Sequence, residues 1–256
     1  MIASLGMYDR PETSAANDAF WALIRDALRD RGLNAPQTLT RGEAAYWPAW
    51  QAPDLVLSQT CGLPFRSRLH DHVTLIGTPD YGVEGCTPGN YRSVLVARSD
   101  DPRQTEAMFA AARFALNDAL SQSGWAAAHQ HFQDQRLTLG PIVVTGGHRA
   151  SAVAVAEGHA DFASIDAVTW ELFKRHEPFT ARLRVFGRTK ASPGLPLIAA
   201  HGTDPDPVFD AIADAIAALT ADQRHTLCLR GIVRIPASHY LDLPIPPPVA
   251  QFGGSF

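Results

Sequence analysis

Short apolar runs alternate with amphipathic segments along the whole chain. An apolar run of roughly four to eight residues bounded by Gly or Pro predicts a buried strand, whereas apolar residues spaced three or four apart predict a helix. In the first part of the chain this pattern predicts strands at 2–8, 54–58 and 73–77 and a helix at 13–31. Because these strands are short and continuously apolar, we expect parallel strands buried on both faces.

The pattern changes near residue 91 and then restarts. A strand predicted at 91–98 follows a Gly- and Pro-rich turn and precedes the polar stretch 99–105, which we interpret as a crossover into a second lobe. Beyond it we predict strands at 113–116, 141–145 and 161–165 and helices at 121–135, 148–157 and 166–175. A strand at 180–189 then leads back to the first lobe, which a strand at 195–200 and a helix at 204–219 complete.

These elements predict an α/β protein of two lobes, the second inserted into the first. Residues 1–92 and 188–256 form lobe 1, and residues 93–187 form lobe 2. The end of the chain carries four prolines between 244 and 248, followed by Gly253 and Gly254. Since such a segment cannot continue a helix or a central strand, we expect it to be extended and to lie on the surface of lobe 1.

Composition and charge exclude several classes of protein. The 256 residues are 46% hydrophobic, and no apolar run approaches the roughly 18 residues of a membrane span. A formal net charge of −4 argues against a nucleic-acid partner. The three cysteines are widely spaced, which is typical of reduced thiols. The first ten residues show no secretory signal, so we expect a cytoplasmic protein as given, or a periplasmic one if a signal was removed.

Two strand-to-helix junctions in lobe 2 could hold an anion. One runs from Asn117 to Trp125 and contains Ser121-Gln122-Ser123-Gly124, and the other runs from Val143 through Thr145 and His148 to Ser151. Free backbone N–H groups and the positive end of a helix dipole bind phosphate or carboxylate groups without Lys or Arg. Gly124 would let an anion approach the backbone closely. The alternative for Ser121 and Ser123 is that one of them only caps the helix.

Other chemistry is less well supported by the sequence. The pairs His70/His72 and His129/His131 have no third ligand at a suitable spacing, so we predict no metal site. The junctions contain neither a P-loop nor GxGxxG, and we predict no cofactor. Cys61 is the one thiol at a strand carboxyl end, where it is either a reactive group or an inert buried thiol.

Three linked motifs carry a resemblance to a known family. The run SQSG at 121–124 is followed by TGGHRASAV at 145–153 and by VAEGHADFASID at 155–166. In their order and spacing over 91–189, these motifs resemble the phosphate/phosphite/phosphonate ABC-transporter substrate-binding family. That family shows S-x-SG, then G-x-H-x-x-S/A at a helix start, then G-x-A-D-x-A-x-x-D.

The resemblance implies a type 2 periplasmic-binding-protein fold with two crossover hinge strands. It also implies that Ser121, Ser123 and His148 hold the ligand oxygens together with backbone amides. Asp166 would contact an amine or hydroxyl of the ligand, although a plain helix N-cap is an equal alternative for it. Transporter-serving members of this family carry an export signal, and none is visible here.

Lobe 1 would supply aromatic and polar groups from the carboxyl ends of its strands, where open α/β sheets bind their ligands. Tyr8 follows the first strand, Gln59 and Thr60 follow the second, and Tyr81 follows the third. We therefore expect a protein that binds a small oxyanion in the cleft between two lobes, as a substrate-binding protein or a sensor and not as an enzyme. ABC-transporter membrane subunits are its expected partners if it is exported, and the sequence indicates no oligomeric state.

Two other functions remain open from the sequence. The first is a cytoplasmic enzyme on the same fold that acts on a small carboxylated or phosphorylated metabolite, with Cys61, His148 or Asp166 as acid–base candidates. The second is a binding protein for a heteroaromatic vitamin precursor stacked between Tyr8, Tyr81 and Trp125.

Overall fold

Strands and helices alternate along residues 1–252, the part of the chain that the computed structural model describes. The strands are β1 Ile2–Ser4, β2 Leu55–Gln59, β3 Val73–Asp80, β4 Asn90–Tyr91, β5 Ser93–Arg98, β6 Phe114–Leu116, β7 Ile142–Val144, β8 Phe162–Asp166, β9 Leu183–Arg188, β10 Ser192–Pro193, β11 Leu197–Ala200 and β12 Gly231–Val233. The helices are α1 Ser14–Asp30, α2 Trp47–Trp50, α3 Gly62–Pro64, α4 Glu106–Phe109, α5 Ala127–Asp134, α6 His148–Ala156, α7 Ala167–His176, α8 Pro205–Ala218, α9 Ala221–Leu227 and α10 Ala237–Leu241. None of the helices in this part of the chain is long and apolar enough to cross a membrane.

The chain divides into two units, each with its own sheet. Unit 1 contains Met1–Asn90 and Pro193–Leu243, and unit 2 contains Tyr91–Ser192 and the chain from Pro244 onward. The first two passages between the units fall in the short strands β4 and β10. A third passage follows Leu243, whereas the sequence analysis grouped the whole C-terminal segment with lobe 1.

The sheet of unit 1 has the order β1-β2-β11-β3-β12. As expected for buried apolar strands, β1 and β2 are parallel. The later strand β11 lies antiparallel between β2 and β3. Consequently β1, β2 and β3 all run in one direction, and their carboxyl ends share an edge of the sheet. Helices α1 and α8 bury Trp21, Ile24 and Ile212 in the main core of this unit.

Two features of unit 1 differ from the sequence prediction. The first strand ends at Ser4, and Gly6–Tyr8 forms a 3-10 turn instead of continuing the strand. The hydroxyl of Tyr46 donates to the Gly6 carbonyl across this turn, a long-range contact that the local apolar pattern does not reveal. The elements β12, α9 and α10 were not predicted either, because their segments mix polar, Pro and Gly residues with the apolar ones.

Tyr240 joins two distant segments in the interior of unit 1. Its side chain is fully buried, and its ring packs edge-on against Phe65 at a centroid distance of 5.2 Å. The phenol donates to the Gly194 carbonyl at 3.0 Å and lies 2.6 Å from the Thr78 hydroxyl, which therefore acts as the donor in that pair. Burial raises the pKa of Tyr240, so the phenol stays protonated and keeps both bonds.

Replacing Tyr240 by Phe should lower the free energy of unfolding by about 1–3 kcal/mol, because it leaves the Thr78 hydroxyl and the Gly194 carbonyl buried without a partner. Urea unfolding followed by tryptophan fluorescence measures the loss. The matched control is Tyr46→Phe, since the Tyr46 phenol also donates to a carbonyl but the residue is exposed. Equal losses in the two variants would contradict this account.

The sheet of unit 2 has the order β7-β6-β8-β5-β9. The three central βα units predicted from sequence are present, with β6 parallel to both β7 and β8. Strand β5 is antiparallel to β8 and to β9. Stacked aromatic rings fill one face of the sheet, with Phe109 4.1 Å from Phe186 and Phe132 5.5 Å from Phe162 between ring centroids.

Asp161 lies at the edge of this sheet at which β6 and β8 begin. Its carboxylate accepts the backbone N–H of Arg113 at 2.8 Å and the side chains of Arg113 and Arg103 at 3.1 Å. Burial raises the pKa of Asp161, but these hydrogen bonds outweigh it and lower the pKa to about 2. The first aspartate of the third motif is therefore a structural residue.

Two further segments of unit 2 correct the sequence prediction. The predicted strand 180–189 begins only at Leu183, because Pro178–Arg182 forms a 3-10 turn that buries Phe179. The C-terminal segment belongs to unit 2 and not to lobe 1: the Trp125 indole donates to the Pro247 carbonyl at 3.2 Å, and Val249 is buried. As predicted, residues 244–248 have no regular structure and are exposed or half-buried. Gly253 and Gly254, which the prediction also covered, lie outside the described residues.

Candidate functional site

The carboxyl ends of three parallel strands meet at one edge of the unit 2 sheet. In the ladders, Leu116 pairs with Val144 and Phe114 pairs with Phe162. The segments that begin at Asn117, at Thr145 and at Asp166 therefore leave the sheet on the same side. As the sequence predicted for α/β sheets, polar residues from both motif junctions gather at this edge.

Ser121 is the N-cap of the helical segment that begins at Gln122, and its contact with a ligand stays a prediction. Its Oγ accepts the backbone N–H of Gly124 at 2.9 Å. It also accepts the amide Nδ2 of Asn117 at 3.0 Å. The segment starts as a π-helical turn, Gln122–Ala126, and continues as α5. Its first amides thus point to the same edge of the sheet as the Ser121 hydroxyl.

Ser123 joins the two motif junctions. Its Oγ lies 2.8 Å from His148 Nε2 and 3.5 Å from Ser121 Oγ. Its backbone carbonyl accepts two buried hydroxyls, from Ser93 at 2.9 Å and from Ser164 at 2.7 Å. The structure therefore brings Ser121, Ser123 and His148 together and fixes the backbone of Ser123 on the sheet.

His148 is neutral at this site. Burial lowers its pKa from 6.5 to about 4. Although the residue as a whole is half-buried, its Nδ1 is shielded from solvent, and no described residue hydrogen-bonds it. The imidazole therefore takes part as a neutral hydrogen-bonding group and adds no positive charge to the site.

Gly124 is constrained by a side chain as well as by its place in the motif. A Cβ at this position would lie 1.7 Å from Asn117 Oδ1 and 2.6 Å from Asn117 Cγ. Because the amide is packed against the Gly124 Cα, any larger residue would displace it. Gly124 makes room for Asn117, a reason that the sequence analysis did not give.

The remaining predicted residues of unit 2 lie close by with other contacts. Thr145 Oγ1 is 2.6 Å from the Ser151 hydroxyl and donates to the Leu116 carbonyl at 2.9 Å. Asp166 caps α7, accepting the Thr169 N–H at 2.8 Å, and Gln122 is buried. Asp166 is thus an N-cap, and its additional contact with a ligand stays a prediction.

Unit 1 gathers its predicted residues separately. The rings of Tyr8 and Tyr81 meet edge-on at 5.0 Å, and Gln59 Nε2 donates to the Tyr81 phenol at 2.9 Å. Thr60 Oγ1 is buried, and no described residue hydrogen-bonds it. These four residues share the edge at which β1, β2 and β3 end, and their role in ligand binding stays a prediction.

Trp125 does not fit the stacking site expected for a heteroaromatic ligand. Its side chain is only 1% exposed, and the indole N–H is bonded to the Pro247 carbonyl. Cys61 is likewise buried. Among residues 1–252, no cluster of three or more His, Cys, Asp or Glu side chains could hold a metal ion.

Comparison with known proteins decides the family. The profile for phosphonate-binding periplasmic substrate-binding proteins of ABC transporters matches residues 57–237, which is more than half of the chain. The chain belongs to this family. The resemblance stated from the three motifs is therefore confirmed, and the match extends beyond 91–189 on both sides. None of the curated proteins matches this chain in sequence.

Solved structures with the periplasmic-binding-protein fold resemble this member of the phosphonate-binding family. PhnD1 from Prochlorococcus marinus in complex with methylphosphonate has a TM-score of 0.69 at 15% identity, covering 98% of this chain and 96% of that one. A binding-protein component of an ABC phosphonate transporter from Pseudomonas aeruginosa has a TM-score of 0.67 at 16% identity, with coverages of 94% and 83%. A Xanthomonas citri protein bound to ATP has a TM-score of 0.66 at 13% identity, with coverages of 90% and 95%. The predicted fold class is confirmed.

Three residues at the site of this phosphonate-binding family member were given no role by the sequence analysis. Asn117 is the first residue of the predicted junction 117–125, Ser93 lies in another strand, and Ser164 occupies an unspecified position of the third motif. A polar residue inside an otherwise apolar strand was the available signal for both serines, since buried hydroxyls require a partner. For Asn117 the available signal was its place at the end of a strand, directly before the predicted site.

The pKa of His148 gives a testable pH dependence of stability. The unfolded chain takes up a proton near pH 6.5, whereas the folded protein resists it until about pH 4. Because the unfolded state then binds more protons, the free energy of unfolding should fall as the pH drops through this window, with no further loss from this group below it. For His148→Gln, the free energy of unfolding measured across this pH window should fall less steeply than for the wild type. The control is His159→Gln, which changes an exposed imidazole and should show the same pH dependence of stability as the wild type. An unchanged slope for His148→Gln would contradict a lowered pKa of His148.

Proposed function

We propose that this chain binds a small oxyanion, a phosphonate, phosphate or phosphite, through Ser121, Ser123 and His148 and the amides that begin the helical segment at Gln122. The observation that carries the proposal is the convergence of two hydroxyls, 3.5 Å apart, and a neutral imidazole at the start of two helices on one sheet edge. Helix N-termini and oriented hydroxyls suit tetrahedral anions. Membership in the phosphonate-binding family supports the same ligand class.

Hydrogen-bond donors, and not cations, provide the attraction in this proposal. The hydroxyl and imidazole groups of the site are uncharged, so the anion is neutralised by dipoles. The backbone amides and the Ser121 hydroxyl are oriented before binding and replace the water that the anion loses, whereas Ser123 turns its proton from His148 to the ligand. The bound methylphosphonate of the Prochlorococcus marinus protein is consistent with this ligand class.

Ser123 and His148 also make the contact expected of a nucleophile and its base, so the enzyme alternative needs an answer. A general base works best with a pKa near the operating pH, and burial lowers the pKa of His148 to about 4. Catalytic pairs also need a third group that orients the base, and no described residue hydrogen-bonds His148 Nδ1. Both points favour binding without turnover.

Family membership supports membrane subunits of an ABC transporter as partners and a periplasmic location for an exported form. A sensor role with the same ligand chemistry is the alternative, and the two share the binding step. We therefore propose a substrate-binding protein whose first task is selective capture of the anion.

Methylphosphonate, phosphite, inorganic phosphate and 2-aminoethylphosphonate form the test panel. We expect at least one of them to raise the thermal midpoint in proportion to its affinity. Ser123→Ala should weaken the binding of that ligand by about 1.5–3 kcal/mol in isothermal titration calorimetry, because one hydrogen bond to a charged group is lost. Ser99→Ala, an exposed serine of the same unit, is the control. Absence of stabilisation by the whole panel would overturn the proposal.

Asp166 provides a test of selectivity within the panel. Asp166→Asn keeps an N-cap for α7 but removes the charge that would meet a ligand amine. We expect this variant to bind methylphosphonate at least as well as the wild type does. Its affinity for 2-aminoethylphosphonate should fall roughly tenfold to hundredfold, which is the contribution of a charge-assisted hydrogen bond. Asp204→Asn, which alters the matching N-cap of α8, is the control. Equal losses for both ligands would remove Asp166 from the ligand contacts.

A further inference from the structure

Asn117 lies at the centre of the polar cluster, although none of the three motifs includes it. It directly follows β6, and its Nδ2 is 3.0 Å from Ser121 Oγ and 3.4 Å from His148 Nε2. One side-chain amide therefore faces a group from each of the two motif junctions. The two N–H groups of a carboxamide can serve both contacts at once.

The first contact fixes the direction of the Ser121 hydroxyl. A hydroxyl oxygen has two acceptor sites and one proton. Here the Gly124 N–H occupies one acceptor site at 2.9 Å, and the Asn117 amide occupies the other. The Ser121 O–H can then act only as a donor, which is the role required by an unprotonated oxygen of the anion.

The second contact fixes the tautomer of His148. A neutral imidazole has one protonated and one bare nitrogen. Because an amide N–H faces Nε2, that nitrogen is the acceptor and the proton resides on Nδ1. In the unliganded protein the Ser123 hydroxyl then donates to Nε2 across 2.8 Å. A singly protonated phosphonate or phosphate can donate its own P–OH to Nε2 instead, which releases the Ser123 proton for an unprotonated oxygen of the ligand.

The cost of the arrangement argues against a purely stabilising role. Asn117 Oδ1 is buried and no described residue hydrogen-bonds it, which destabilises the fold. The amide also fits only because residue 124 has no side chain. An asparagine that served stability alone would be poorly placed here, whereas one that orients two ligand-binding groups is well placed.

We propose that Asn117 is a positioning residue of the anion site, which makes Ser121 an obligate donor and holds His148 in the Nδ1–H tautomer. The first part rests on the proposed function, because it concerns affinity for the anion. The second part concerns the unliganded protein and stands without it.

The tautomer is tested first, without ligand, by nitrogen-15 NMR of histidine-labelled protein, with His148→Gln to assign the signal. We expect the Nδ1–H form in the wild type. The variant Asn117→Asp is isosteric and places a carboxylate opposite Nε2. In this variant the Nε2–H form should replace the Nδ1–H form, and the pKa of His148 should rise. An Nε2–H tautomer in the wild type, or an unchanged tautomer in Asn117→Asp, would overturn the proposal.

A double-mutant cycle with methylphosphonate tests the action through Ser121. Asn117→Ala should weaken binding about tenfold in the wild type, as expected for one misdirected hydrogen bond, but less than about twofold in the Ser121→Ala background. Asn34→Ala, on the surface of unit 1, is the control. Equal losses in both backgrounds would show that Asn117 acts independently of Ser121 and would overturn this part.

Failure of the function and failure of this inference give different results. If none of the four ligands of the test panel binds the wild-type protein, the proposed function and the affinity part fail together, and the tautomer measurement still decides the His148 part. If one of them binds but the cycle is additive and the tautomer is Nε2–H, the function stands and Asn117 has no positioning role.

Discussion

The backbone carbonyl of Ser123, held by the hydroxyls of Ser93 and Ser164, is the interaction on which the candidate site depends. Ser93 of β5 pairs with Asp166 of β8. Ser164 lies two residues before Asp166 in β8, so Ser93 and Ser164 face the same side of the sheet. Both are buried, and their hydroxyls need an acceptor. The Ser123 carbonyl satisfies both, and the first turn of the helix is thereby fixed to the centre of the sheet instead of being left to a mobile loop.

This anchoring would let the proposed anion site select its ligand with uncharged groups. Neutral donors contribute little to anion binding when they must first be ordered, since the ordering entropy offsets the hydrogen bonds gained. Here the backbone is held by two strands, one hydroxyl is held by an amide and a helix N–H, and the other is held by an imidazole. Part of that ordering is complete in the unliganded fold, so ordering would offset less of the hydrogen-bond energy of the proposed contacts.

The sequence predicted the βα units of unit 2 and the two junctions because these depend on local pattern. Hydrophobic period, Gly and Pro positions and three linked motifs are all readable over short distances. It did not predict the partners of Ser123, because Ser93 and Ser164 become its neighbours only once strand order is fixed. Asn117 lies only four residues before Ser121, but their contact depends on the packing of the amide against Gly124, which no residue pattern encodes. The assignment of the C-terminal segment to lobe 1 was wrong because the bond from Trp125 to Pro247 is a long-range contact. Its prolines exclude regular structure, but they do not show which sheet the segment contacts.

The position of β11 in the unit 1 sheet has a consequence for biosynthesis. This strand pairs with β2 on one side and β3 on the other, yet it is synthesised only after the whole of residues 91–192. Until then the emerging N-terminal segment has two strands whose facing edges lack their shared partner, and exposed apolar edges of this kind are prone to wrong pairing. The intervening segment contains all five strands of its own sheet and can form it first. On the ribosome the sheet that carries the candidate site is therefore expected to form before the sheet that begins the chain.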